Sequence, residues 1–230
     1  MSEAIIPRDL RCVIFDMDGV LYDSMKNHEI AWTGCFKTVG IDFPAYEAYL
    51  HEGSPGLETI AYVYRQYLNK EVSEEECERI YNEKIRLMGQ LPIAEKMPQM
   101  GDLIDFIRET GMDVWVVTGS KQPTLLDRLS DDFGIPAKQI ISASDVTKGK
   151  PDPEPYAKAV ARCGFTAEQC MVVENAPLGV QSAKAAGVTT IAVNTGVLED
   201  EVLVEAGADI VLPDTSSLYS YVRSTLQERG

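Results

Sequence analysis

The stretch CVIFDMDGVLYDS, Cys12 to Ser24, is an apolar run that ends in an acid, Asp16. A second acid, Asp18, follows two residues later, and then Gly19. Two unit charges about 4 Å apart cost about 4 kcal/mol at an effective dielectric near 20. Paired carboxylates at the end of a buried strand therefore imply a cation or a reaction that uses them. Three further apolar runs lead into chemistry-bearing groups. VWVV is followed by Thr118, Gly119 and Ser120. The segment after IISAS, DVTKGKPDPEPY, carries Asp145, Lys148 and Lys150. MVV ends in Glu174 and Asn175. A basic residue, a hydroxyl and an oxygen-rich cluster suited to a hard cation such as Mg²⁺ form an inventory for phosphoryl transfer. That chemistry needs an in-line nucleophile, a proton donor for the leaving group and cations over the equatorial oxygens. A carboxylate serves as nucleophile through an aspartyl-phosphate, and Asp16 is the candidate. Asp18 is placed for general acid and base work, and Gly19 permits a tight turn after the pair.

These groups need a scaffold that brings strand ends together. From about Gly101 onward, short β-branched runs (DVWVV, QIISAS, CMVVEN, TTIAVN, ADIVLP) alternate with helical patterns that end in glycine. This alternation predicts an α/β fold, a doubly wound parallel sheet with helices on both faces. Residues 25–94 differ. MKNHEIAWTGCFKTVG, SPGLETIAYVYRQYLNK and SEEECERIYNEKIRLMG all read as helix, the last opening on a capping pattern at Ser73. The expected organisation is a catalytic core from residues 1–24 and 95–230, with an inserted all-helical cap at 25–94. Open parallel sheets bind ligands outside the carboxyl ends of their strands, so an insert leaving from that edge sits over the site as a lid. Trp32, Phe36 and Val39 recur at helical spacing and are expected to pack the cap; Asp23 and Ser24 are expected to shape its hinge.

The chain has 230 residues, 45% of them hydrophobic, and a formal net charge of −15. With no run rich in Lys or Arg, nucleic acid and anionic membrane are not expected partners. No apolar run approaches a membrane span. The start, MSEAIIPRDL, lacks the pattern of a signal peptide. The five cysteines are odd in number and scattered, which argues for reduced thiols rather than a disulfide framework or a zinc site. A cytoplasmic monomer is the expectation.

FDMDGVLYDS, VVTGS, GKPDPEPY and VVENAPLGV resemble, in order, the four motifs of the haloacid dehalogenase-like superfamily. The position of the insert is similar to that in the β-phosphoglucomutase-like branch, which has a small helical cap. The resemblance implies a Rossmann-like core, Asp16 as nucleophile and Asp18 as acid/base. It implies that Thr118 and Lys150 bind the transferring phosphoryl group. Mg²⁺ would be held by Asp16, the Asp18 backbone carbonyl, Glu174 and Asn175. The fourth motif usually has an acid where this chain has Asn175, whose amide oxygen ligates without charge. The second aspartate favours phosphate ester or anhydride chemistry, since dehalogenases and phosphonate-cleaving relatives generally lack it.

Cap residues bear on the substrate. By the same resemblance, His28, Lys84, Ser120 and Lys121 occupy positions that contact substrate in the mutase. The cap loop HEGSPG, His51 to Gly56, carries Glu52 where the mutase has an arginine for a second phosphate. A carboxylate there repels a second phosphate unless a metal intervenes. Glu52 suits a small chelated substrate such as pyrophosphate, or a sugar hydroxyl. The reading is a Mg²⁺-dependent phosphohydrolase acting on a small phosphate monoester or pyrophosphate. The alternatives are a sugar-phosphate mutase and a non-catalytic phosphate-binding protein.

Overall fold

The computed structural model describes residues 5–120 and 123–228. Lys121 lies outside the described residues. Among them, six strands form one sheet in the order β3-β2-β1-β4-β5-β6, and every neighbouring pair is parallel. The strands are β1 (Cys12–Phe15), β2 (Asp113–Val117), β3 (Ile140–Ile141), β4 (Cys170–Glu174), β5 (Thr189–Val193) and β6 (Ile210–Leu212). Each coincides with an apolar run read from the sequence. The connecting helices are α5 (Met100–Glu109), α6 (Pro123–Phe133), α7 (Glu154–Cys163) and α8 (Pro177–Ala185). Two helices not singled out from sequence, α9 (Asp200–Glu205) and α10 (Thr215–Gln227), complete the core.

The side-chain alternation of β1 shows why the sheet is covered on both faces. Val13 and Phe15 join one core layer with Leu103, Ile104 and Ile107 of α5 and Leu218 and Val222 of α10. Cys12 and Ile14 join the other, with Tyr156 and Ala159 of α7 and Ala183 of α8. Strands buried on both faces read as continuous apolar runs, as they do here. The chain winds outward through β2 and β3 on one side of β1 and through β4 to β6 on the other. The reversal of strand order therefore falls between β1 and β4, where such sheets open a crevice for ligands.

After β1 the chain leaves for α1 (Met25–Lys37), α2 (Ala45–Leu50), α3 (Gly56–Leu68) and α4 (Glu74–Met88). The short α2 was not anticipated. Trp32, Phe36, Ile60, Val63 and Ile80 share a core separate from that of the sheet, and the Trp32 and Phe36 rings stack at 5.5 Å. The Ser73 side chain accepts the Glu76 N–H and caps α4, satisfying one of the donors a helix start leaves open. The two connecting segments pair where they pass between the helices and the sheet. Asp23 N–H donates to Glu95 O at 2.9 Å and Met97 N–H to Leu21 O at 2.8 Å.

Candidate active site

Asp16 follows β1 directly, and its N–H continues the ladder to Val173 O at 2.9 Å. Its Oδ1 lies 2.5 Å from Lys150 Nζ, which lies 2.6 Å from Glu174 Oε1 at the end of β4. All three side chains are buried. Burial works against the charge on Lys150, but the carboxylates of Asp16 and Glu174 hold its proton well above the usual lysine range. Burial also pushes the Asp16 carboxyl above its usual range. Lys150 opposes the rise; Glu174 and Asp18 add to it. Within this group one lysine faces two acids, Asp16 and Glu174.

Glu174 uses both of its oxygens within the protein. Oε1 accepts from Lys150 and from the Tyr156 hydroxyl at 2.7 Å; Oε2 accepts the N–H groups of Asn175 at 2.8 Å and Ala176 at 3.1 Å. The carboxylate lies so close to α8 that a Cβ at Gly179 would stand 1.7 Å from Oε1. Glu174, expected among the metal ligands, is here the counter-ion that fixes Lys150. Asn175 is different. Its Oδ1 is buried with no hydrogen-bond partner, and its amide nitrogen lies against Gly19, where a Cβ would come within 2.0 Å. Gly19 has φ +78, so the turn after the aspartates excludes a side chain by conformation and by space. An unpaired buried oxygen beside an excess of carboxylate charge fits a hard cation.

Asp18 is held from the cap side. Its Oδ1 accepts the Ser24 hydroxyl at 2.6 Å and faces His28 Nε2 at 3.3 Å. His28 Nδ1 in turn faces Glu52 Oε2 at 3.2 Å. Burial disfavours the Asp18 carboxylate, yet His28 and Ser24 bring its pKa down to about 2. Burial lowers His28, but Glu52 and Asp18 together raise it to about 9. A proton on His28 thus joins the two acids on either side of it. Lys84 stands near Glu52 and Asp18, with its proton loosened mainly by burial, and its ammonium lies 5.2 Å from the Trp32 ring centroid.

The Thr118 hydroxyl, just past β2, accepts the Ser120 N–H at 3.0 Å. Gly53 of the cap loop packs on Lys150, where a Cβ would stand 2.9 Å from Cδ. Pro55 packs on Gly149, where a Cβ would stand 2.5 Å from Cγ of the proline. The loop therefore covers the strand ends and leaves a cavity of about 70 Å³ lined by Asp18, His28, Glu52, Lys84 and Ser120 among others. Asp16, Asp18, Thr118, Lys150, Glu174 and Asn175 gather at the strand ends; His28 and Lys84 meet them from α1 and α4, and Glu52 from the loop between α2 and α3. Sequence reasoning missed two supporting residues, Tyr156 and Ser24. Tyr156 sat inside a quoted motif, but nothing in the sequence pairs it with Glu174. Ser24 was read as a hinge residue.

Residues 10–187 match the model of the haloacid dehalogenase-like hydrolases. A solved structure from Bacteroides vulgatus, provisionally named a β-phosphoglucomutase, is 43% identical with a TM-score of 0.91, covering 97% of this chain and 91% of that one. The β-phosphoglucomutase of Bacillus subtilis is 27% identical over 91% of this chain and 92% of its own length. The phosphorylated carbohydrates phosphatase of Thermotoga maritima is 29% identical over 86% of this chain and 92% of its own.

Proposed function

Because this chain belongs to the haloacid dehalogenase-like hydrolases, we propose that it transfers phosphoryl groups to water from a small phosphate monoester or from pyrophosphate. In this reading residues 25–94 are the cap, and Asp16 is the nucleophile. Its carboxylate attacks phosphorus as the bond to the leaving oxygen breaks, giving an aspartyl-phosphate. Asp18 gives the leaving oxygen a proton, then takes one from the water that releases phosphate from Asp16. The negative charge of an arriving phosphoryl group raises the Asp18 pKa, so that Asp18 takes up a proton from solvent as the substrate enters and carries it into the acid step. Its resting carboxylate form suits the base step. Lys150 and Thr118 bind the transferring oxygens, with Glu174 and Tyr156 fixing Lys150. Asp16, the Asp18 carbonyl and Asn175 would hold Mg²⁺, which supplies charge neutralisation and polarises the phosphoryl group. Ser120 and Lys121 are proposed to meet the far end of the substrate, and the closed loop excludes water.

The observation that carries a small substrate is Glu52 of the covering loop, which faces the cavity beside Asp18. The loop over the site holds an acid where a second phosphate would need a cation. The solved relative at 43% identity supports a sugar-phosphate mutase as the second reading. No helix among the described residues is long and apolar enough to cross a membrane. The free thiols fit a reducing, cytoplasmic setting, and a monomer is proposed.

Phosphate release should be measured with and without Mg²⁺ from pyrophosphate, β-glucose 1-phosphate, hexose 6-phosphates and short polyol phosphates. Strong release from one class, absent in Asp16→Asn, is expected. Weak release with conversion of β-glucose 1-phosphate to glucose 6-phosphate identifies a mutase instead.

A further inference from the structure

Three of the five cysteines, at positions 12, 163 and 170, come together at the edge of the sheet opposite the phosphoryl site. Cys12 opens β1 and Cys170 opens β4, and the two are direct partners in the parallel ladder. The same strands lead, at their other ends, into Asp16 and Glu174. Cys163 is the last residue of α7, and its Sγ lies 3.9 Å from Cys170 Sγ. The three sulfurs lie within 4.8 Å of one another. Cys12 and Cys170 are fully enclosed, whereas Cys163 is only partly buried and offers a way in. Cys35 and Cys77, by contrast, belong to the apolar core of the cap.

The spacing suits a shared ion. With metal–sulfur bonds of about 2.3 Å, a trigonal ion holds its sulfurs about 4.0 Å apart. The 3.9 Å between Cys163 and Cys170 already matches. Soft thiolates select thiophilic d¹⁰ cations and discriminate against Mg²⁺. The cluster offers three sulfurs and no histidine or carboxylate among the described residues, which suits soft ions content with three ligands. Binding releases one thiol proton to solvent for each metal–sulfur bond formed, with no change of oxidation state. The partly exposed side of Cys163 lets solvent share the residual charge.

We propose that Cys12, Cys163 and Cys170 form a three-sulfur site for a thiophilic d¹⁰ cation of the Cu(I) and Cd(II) class. The site would clamp the end of α7 to the start of β4.

The test uses the full chain, reduced and stripped of metal, titrated with Cd²⁺ in the presence of Mg²⁺. Thiolate-to-metal charge-transfer absorption saturating at one Cd²⁺ per chain is expected; carboxylates at the active site give no such band. The Cys35→Ser/Cys77→Ser double variant should keep the full signal. Cys163→Ser, at a partly exposed helix end, should weaken binding by about 100-fold or more, beyond what losing an outer-shell partner costs. Cys163→Ala is a second variant at the same place. Absence of the band in the wild-type chain overturns the assignment. So does a band that both Cys163 variants leave at full affinity, or one that disappears in the double variant.

Discussion

Asn175 shows how one atom sets the charge of the site. Its Oδ1 is buried and unpaired beside a group of acids with Lys150 as their near cation. In Asn175→Asp the unpaired oxygen becomes an anionic ligand. Mg²⁺ affinity should rise by about tenfold, roughly 1.4 kcal/mol, read from the Mg²⁺ dependence of the rate. Without Mg²⁺ the same variant should be less stable than wild type, because another buried charge then stands unpaired. Thermal melts with and without Mg²⁺ test both signs. If affinity does not change, Asn175 is not a ligand. The departure from an acid at this position was visible in the sequence; the unpaired oxygen that gives it meaning required the neighbours.

At the scale of elements, α7 and β4 hold the cation of the site in place. Tyr156 near the start of α7 reaches Glu174 at the end of β4, 2.7 Å from hydroxyl to carboxylate. Tyr156→Phe removes that donor and keeps the ring, which lies 5.2 Å from Lys150 Nζ. Leaving a buried carboxylate one bond short should cost about 1–3 kcal/mol, seen as a lower urea midpoint with an unchanged slope. An unaltered midpoint would mean that water replaces the hydroxyl. Both elements were legible beforehand: β4 as an unbroken apolar run, α7 as a helical pattern ending at Gly164. Their meeting was not, because a contact between a helix face and a strand end depends on how the crossover winds. The same limit explains Ser24 on Asp18 and the gathering of three scattered cysteines. The short α2 was missed for a different reason: six residues give too little periodicity to separate a helix from a loop.

At the scale of the whole molecule, helices α1 to α4 stand at the carboxyl edge of the sheet, and the loop between α2 and α3 rests on Lys150 through Gly53. Its φ is +83, and an added Cβ would meet the Lys150 side chain at 2.9 Å. Gly53→Ala therefore opposes closure twice, by backbone strain in the loop and by contact with the lysine that the loop covers. The core of Phe36, Ile60 and Ile80 and the pairing of the linkers at Asp23 and Glu95 do not involve this position, so the melting temperature should fall only by what the left-handed backbone costs an alanine. Catalysis should suffer more. A displacement on the order of 1 Å can cost about 100-fold, and an unseated loop also admits water to the site. The expected result is a fall in kcat/KM of about 10- to 100-fold, with faster proteolysis at the linkers around residues 23 and 95. Gly40 is the control, since it also has positive φ, at +76, but a Cβ there meets nothing within 4 Å. Gly40→Ala should show the strain without the loss of activity. Equal activity in the two variants would mean that the loop does not seat on Lys150 during turnover, and that substrate size is not limited by the closed cavity.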